Sequence, residues 1–159
     1  MQTTGVEGVT ADQGEVLMIS GMGGYLIIDI LQRGHELVRK MKKLILQPQQ
    51  DIVEVRKYLH QIGFRIEAEA FVEDDEKYYT VISAVPGKEC YEKAYEYAYG
   101  KCLIEQKNEV LKEWVEMKLA KQEGIYQSLF KQDSEGAKRR QNELREEIAV
   151  LREVEKCLS

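Results

Sequence analysis

The hydrophobic pattern divides the chain into two textures. Over residues 1–87 short apolar runs alternate with helical stripes, whereas over 88–159 only helical spacings remain. Glu15 to Ser20 (EVLMIS) is a brief apolar run that stops at a glycine cluster, the profile of a buried parallel strand. From Tyr25 to Met41 the apolar residues Leu26, Ile27, Ile30, Leu31, Leu37, Val38 and Met41 recur at helical spacing. Gly34 weakens or splits that helix at a cost of about 1 kcal/mol. Lys42 to Gln47 (KKLILQ) reads as a second short strand, ended by Pro48, which cannot donate to a central ladder. Asp51 to Ile62 returns to helix on the stripe Ile52, Val55, Leu59 and Ile62, with Gly63 as its stop. Phe64 to Val72 alternates. Phe64, Ile66, Ala68, Ala70 and Val72 are expected on one face, and Arg65, Glu67 and Glu69 on the exposed other. An acidic turn, Glu73-Asp74-Asp75-Glu76, leads to Tyr78–Val85, a β-branched and aromatic strand closed by Pro86-Gly87.

The order β-α-β-α-β-β predicts an α/β fold: a parallel sheet with crossover helices. Its last link is too short for a crossover, so the final strand is expected to run antiparallel. This is the C-terminal half of a doubly wound sheet. Residues 88–159 are expected to form a helical hairpin with coiled-coil character, giving two domains, 1–87 and 88–159. Val110, Leu111, Trp114, Val115, Ile125 and Leu129 carry one helix. Leu144, Ile148, Leu151 and Leu158 carry the other, with Glu155 at a vacant core position and a turn at Gln132–Gly136.

Composition narrows the chemistry. Of 159 residues, 43% are apolar and 32% charged, a globular balance. The net charge of −5 gives no global footprint for nucleic acid, so any RNA contact must use local basic patches. No apolar run is long enough for a membrane helix, and the first fifteen residues have neither the basic nor the apolar region of a secretory signal. Cys90, Cys102 and Cys157 are odd in number and lack CxxC spacing, so they read as reduced thiols of a cytoplasmic protein. Two histidines, His35 and His60, both expected on helix surfaces, make a histidine-rich metal site or a catalytic triad improbable.

The sharpest candidate site is the strand that runs straight into Gly21-Met22-Gly23-Gly24, where three glycines in four residues let backbone approach a ligand closely. Ligands of open α/β sheets bind at the carboxyl ends of the strands. Gln47-Pro48-Gln49 ends the neighbouring strand, so the two loops are expected to face one crevice. A tight strand-to-helix turn explains the glycines equally well, and the spacing is not that of a dinucleotide fingerprint.

The stretches VLMISGMGGYLIIDIL (16–31), KKLILQPQ (42–49), VRKYLHQIGFRI (55–66), KYYTVISAVPG (77–87) and YAYGKCLIEQKNEVLKEWV (97–115) together resemble the bacterial tRNA adenine-22 N1-methyltransferase family. This is a class I S-adenosylmethionine-dependent group with a Rossmann-like sheet and a C-terminal coiled-coil hairpin. The resemblance implies methyl transfer to N1 of an adenine in tRNA. It gives Gly21, Met22, Gly23 and Gly24 the catalytic role of holding the target base beside the donor. It implies substrate contacts from Gln47, Pro48, Gln49 and Tyr78, the last of which, like Tyr79, fits core packing better. It implies phosphate contacts from Lys138, Arg139 and Arg140 in the hairpin. No metal is implied. The glycine-rich first βαβ unit that holds the donor in this fold has no counterpart before Met1, and Thr4-Gly5-Val6 stands where the family has an acidic residue followed by glycine and leucine. The expectation is therefore a truncated member, a gene fragment or a mis-started frame, lacking most of the S-adenosylmethionine site and exposing a sheet edge.

Most other charges read as solvated helix faces, since residues 131–159 balance acid and base. This includes the run Arg39, Lys40, Lys42 and Lys43. Trp114 and the tyrosines Tyr91, Tyr95, Tyr97 and Tyr99 are expected to pack the hairpin onto the sheet. The rival class is a non-catalytic RNA- or protein-binding remnant; oligomeric state is left open.

Overall fold

The computed structural model describes residues 15–159. Thr4-Gly5-Val6 lies outside the described residues. One compact unit ends at Leu103 and a second spans Ile104–Ser159. Residues 88–103, grouped with the helical half on sequence, belong to the first.

The first unit carries β1 (Val16–Met22), α1 (Gly24–Arg33), α2 (His35–Val38), β2 (Lys43–Pro48), α3 (Ile52–Gln61), β3 (Phe64–Asp74), β4 (Lys77–Pro86) and α4 (Ala94–Tyr99). Gly34 does split the expected long helix into α1 and α2. The sheet order is β1-β2-β4-β3. β1 and β2 are parallel, and β4 is antiparallel to both β2 and β3. The short turn after β3 makes β4 fold back, and it inserts between β2 and β3, so the reversed strand is internal.

The core lies on one face of this sheet. Ile19 of β1, Leu44 and Leu46 of β2 and Ile82 and Ala84 of β4 are buried against Ile27, Ile30 and Leu31 of α1, Val38 of α2 and Val55 and Leu59 of α3. This burial of apolar side chains is the main term holding the layers together.

One expectation fails in β3. The register slips between Ile66 and Ala68, a β-bulge. From there on the faces exchange: Glu69 is buried, whereas Ala68, Ala70 and Val72 are exposed. A single extra residue reverses every later side chain, because the strand's period is two.

In the second unit α6 (Glu109–Leu129) and α7 (Glu135–Leu158), which follow the short α5 (Lys101–Glu105), pair through buried stripes. Leu111, Val115, Leu119 and Gln122 face Ala137, Leu144, Ile148, Leu151, Val154 and Leu158. Asn108 and Ser134 cap the two helices, accepting from the Leu111 and Ala137 N–H groups. Val154 occupies the layer assigned to Glu155, which is only half-buried. The apolar side chain wins the interior because burying the carboxylate would cost its hydration.

Candidate functional site

Both parallel strands end at one rim, and there their loops are tied together. β1 finishes with an irregularity at Gly21, whose φ of 74° lies in the left-handed region that suits glycine. Three hydrogen bonds join the loops. The Gly21 N–H donates to Gln47 Oε1 at 2.9 Å, the Gln49 N–H to the Met22 carbonyl at 2.9 Å, and the Gly24 N–H to the Gln50 carbonyl at 2.9 Å. Gly24 is required by close approach: a Cβ there would stand 2.6 Å from the carbonyl oxygens of both Gln50 and Asp51. Among the described residues nothing lies within 4 Å of the Gly21 Cβ position, so they leave that side of the rim open.

α1 and α3 both start at this rim, behind Gly23 and Asp51, and neither N-terminus has a side-chain cap. Two helix starts give the rim a positive partial charge and a preference for anions.

Tyr78 reaches the same rim from β4. Leu46 pairs with Ile82, and β4 runs on past the end of β2 toward Tyr78, which sits opposite Glu73 in the β3–β4 hairpin. Its ring stacks on Phe71 at a centroid distance of 5.4 Å and 16° between planes. Gly21, Met22, Gly23, Gly24, Gln47, Pro48, Gln49 and Tyr78 thus share one end of the sheet. Lys138, Arg139 and Arg140 belong to the second unit, in the first turns of α7. Lys138 and Arg139 are exposed, and Arg140 lies 3.2 Å from Glu143 and 3.7 Å from Glu147. The other basic run is largely paired, through Arg39–Glu36, Lys42–Glu15 and Lys43–Glu67.

The perturbed titratable groups lie elsewhere in the first unit. Arg56 is 1% exposed and donates twice to Glu69 Oε1, at 3.0 and 2.8 Å, and to the carbonyls of Tyr97 and Ala98 at 2.6 and 3.1 Å. It thereby satisfies carbonyls at the end of α4. Among the described residues the buried Glu69 Oε2 has no hydrogen-bond partner. Burial pushes the Glu69 carboxyl up, with Arg56 opposing. Gly100, at φ 96°, makes room: a Cβ there would lie 2.7 Å from Glu69 Oε2.

His60 sits beside this pair and is buried, not on the helix surface. Its Nε2 is 2.8 Å from Glu89 Oε1 and its Nδ1 2.8 Å from the Tyr97 hydroxyl. An ionised carboxylate only accepts, so this arrangement puts the ring proton on Nε2. Tyr91 and Tyr97 pack against His60 within the first unit. The sequence did contain a signal for this joint: Arg56 interrupts the apolar stripe of α3 between Val55 and Leu59, where an unpaired charge is not tolerated.

Each unit also carries a hollow. One of about 250 Å³ is lined by Leu31, His35, Val38, Tyr58 and Phe64, where burial raises the Tyr58 hydroxyl pKa. The other, about 520 Å³, is a groove along α6 and α7 edged by Glu123, Tyr126, Arg145 and Arg152. Among the described residues no cluster could hold a metal ion, and no helix is long and apolar enough to cross a membrane.

Residues 1–153 match the family model described as TrmK, tRNA (adenine(22)-N(1))-methyltransferase. The chain is 31% identical to the tRNA (adenine(22)-N(1))-methyltransferase of Bacillus subtilis over 96% of its own length and 67% of that protein's. Among solved structures, an uncharacterised Listeria monocytogenes protein superposes with a TM-score of 0.83 at 25% identity, over 94% of this chain and 67% of that one. A Streptococcus pneumoniae protein solved in complex with S-adenosyl-L-methionine gives 0.78 at 26%, over 95% and 65%. The chain therefore spans about two thirds of the proteins it matches.

Proposed function

The chain belongs to the TrmK family of tRNA (adenine(22)-N(1))-methyltransferases, and from that premise we propose that it supplies the base-presenting part of an enzyme that methylates N1 of an adenine in tRNA. The observation that carries this reading is the rim: two strand ends tied by three hydrogen bonds, open beside Gly21, with two uncapped helix starts behind them.

A target base must leave its stack to be modified. The flat backbone of Gly21, Met22 and Gly23 offers a surface it can lie against, and the helix starts favour its phosphates. Gln47 uses Oε1 on Gly21, which leaves its amide N–H groups to donate to a base edge. Pro48 and Gln49 border the crevice, and Tyr78, backed by Phe71, offers a ring to stack on. N1 of neutral adenine carries a lone pair, so the side chains have to position rather than deprotonate it.

S-adenosylmethionine would supply the activated methyl group. The described residues do not enclose it: they form one wall of a crevice, and the outer edge of β1 is unpaired among them. The hairpin would act as a coiled coil that grips tRNA phosphates through Lys138, Arg139 and Arg140, which places the work in the cytoplasm.

Methyl-labelled S-adenosylmethionine and unmodified tRNA test the proposal, with the chain alone and with the third of the Bacillus subtilis relative outside the match. Label in N1-methyladenosine is expected, and loss of most of it in Gln47→Ala. Label in any other nucleoside, or in none under either condition, rejects it. Replacing Lys138, Arg139 and Arg140 with alanine should weaken tRNA retention and flatten its salt slope by about two to three ions.

A further inference from the structure

Gln50 stands at the rim, fastened by its backbone and not by its side chain. The Gln49 N–H donates to the Met22 carbonyl and the Gly24 N–H to the Gln50 carbonyl, each at 2.9 Å, so this stretch is clamped against the glycine run. The Gln50 side chain is exposed among the described residues. It lies over that run, with Oε1 3.9 Å from the Cβ position of Gly23. The two helix starts beside it, α1 behind Gly23 and α3 behind Asp51, have no side-chain cap, so the amide is not drawn into either. A neutral group with one acceptor and two donor hydrogens is thereby carried at a fixed point of the rim.

An adenine that is methylated on N1 has to keep that atom free, because a donor placed there would occupy the lone pair that attacks the methyl group. The edge left for recognition is N6 and N7, a donor beside an acceptor. An amide matches this pair in one plane, its oxygen accepting from N6 and its N–H donating to N7. We propose that Gln50 reads the N6/N7 edge of the target adenine and makes the rim selective for that base. The inference rests on the reading under Proposed function and deepens it. The neighbouring side chains match the edge less well. Gln47 has its Oε1 engaged on the Gly21 N–H. Pro48 has no hydrogen-bonding side chain, and the carboxylate of Asp51 only accepts. Guanine presents acceptors at both O6 and N7, so one of them would meet the amide oxygen.

Nuclear magnetic resonance titration of the isotope-labelled chain tests the contact without methyl transfer. The probes are adenosine 5′-monophosphate, its 7-deaza analogue, which lacks the N7 acceptor, and purine riboside 5′-monophosphate, which lacks the N6 amine. Adenosine monophosphate should shift the Gly21 and Gly23 amides and the Gln50 side-chain amide, and should bind roughly fivefold or more tightly than either analogue. Gln50→Met, similar in length and without a strong hydrogen-bonding group, should bind all three alike. Gln50→Glu keeps the acceptor alone, so it should still favour adenosine over purine riboside but not over the 7-deaza analogue. A preference that survives Gln50→Met, or that Gln49→Met abolishes instead, overturns the proposal, as does the absence of any shift at the rim. Transfer RNA carrying adenosine or purine riboside at the methylated position separates this contact from the enzymatic reading. Methylation whose adenosine preference is unchanged in Gln50→Met rejects the contact and retains the enzyme. A Gln50-dependent nucleotide preference with no methylation of any tRNA does the reverse.

Discussion

The rim, at the ends of β1 and β2, and the buried joint, between β3 and α4, share helix α3, yet they are held in opposite ways. At the rim, neutral backbone groups and one glutamine side chain tie two loops together in contact with solvent. At the joint, Arg56, His60, Glu69, Tyr91 and Tyr97 share an interior held by charged and ring hydrogen bonds, which leave Glu69 Oε2 and the Tyr91 hydroxyl unpartnered among the described residues. The shifted groups Glu69, Tyr91 and Tyr97 lie at the joint and Tyr58 lies in the hollow beside Leu31, whereas most of the rim's candidates carry no titratable group. Perturbed ionisation is often used to find active sites. Here it marks the fastening of residues 88–103 to the sheet, because positioning a base asks for shape and neutral donors rather than for a tuned acid.

The contrast can be broken by mutation, and the largest effect is expected at the joint. Arg56→Ala leaves Glu69 buried without its cation and should cost about 3–5 kcal/mol in urea unfolding. Substituting both partners with methionine should recover most of that loss, and failure to do so would mean that the Tyr97 and Ala98 carbonyls matter more than the charge. Next comes Gly24→Ala, whose methyl group would sit against two backbone carbonyls that cannot yield without separating the loops. We expect about 2 kcal/mol of destabilisation and a loss of rim function beyond what the stability change explains. Gln47→Ala removes one exposed hydrogen bond, so its stability cost should stay below about 1 kcal/mol, while base presentation suffers. Equal losses in stability and function would place Gln47 with the scaffold.

The smallest change in stability, and the one of opposite sign, is expected for Tyr91→Phe. The buried Tyr91 hydroxyl has no hydrogen-bond partner among the described residues, so removing it should be neutral or stabilising by up to about 1 kcal/mol. Burial, then the charge of Glu89, raises its pKa above the ordinary phenol value of 10.0. The raised value means that the folded state keeps the proton longer than the unfolded chain does. This contribution to stability is complete below pH 10.0 and is lost as pH climbs beyond it. Tyr91→Phe should therefore flatten the alkaline limb of a stability-against-pH curve, and an unchanged limb would exclude Tyr91 as its source.

How far the molecule could be read in advance depended on how local each feature is. Strands, helices, the break at Gly34 and the reversed last strand follow from residue spacing and loop length, which act over a few residues. The adjacency of Gly21–Gly24 and Gln47–Gln49 followed from topology, since consecutive parallel strands end at one rim. The position of Val154 did not, because a heptad written through Leu144, Ile148 and Leu151 points to Glu155, and only packing chooses the neighbour. His60 was misplaced for a related reason: its burial comes from Glu89 and Tyr97, which lie far along the chain.

The amino-acid order by itself determined the α/β class, the helical second half, the family and the two loops at the rim, since each rests on patterns that repeat within one element or its neighbour. Only the tertiary structure decided that β4 lies inside the sheet and that a bulge turns Glu69 inward to Arg56. A strand carries no local record of its partners or of a one-residue slip in register. Both are settled by which arrangement buries the most apolar surface while leaving the fewest polar groups unpaired.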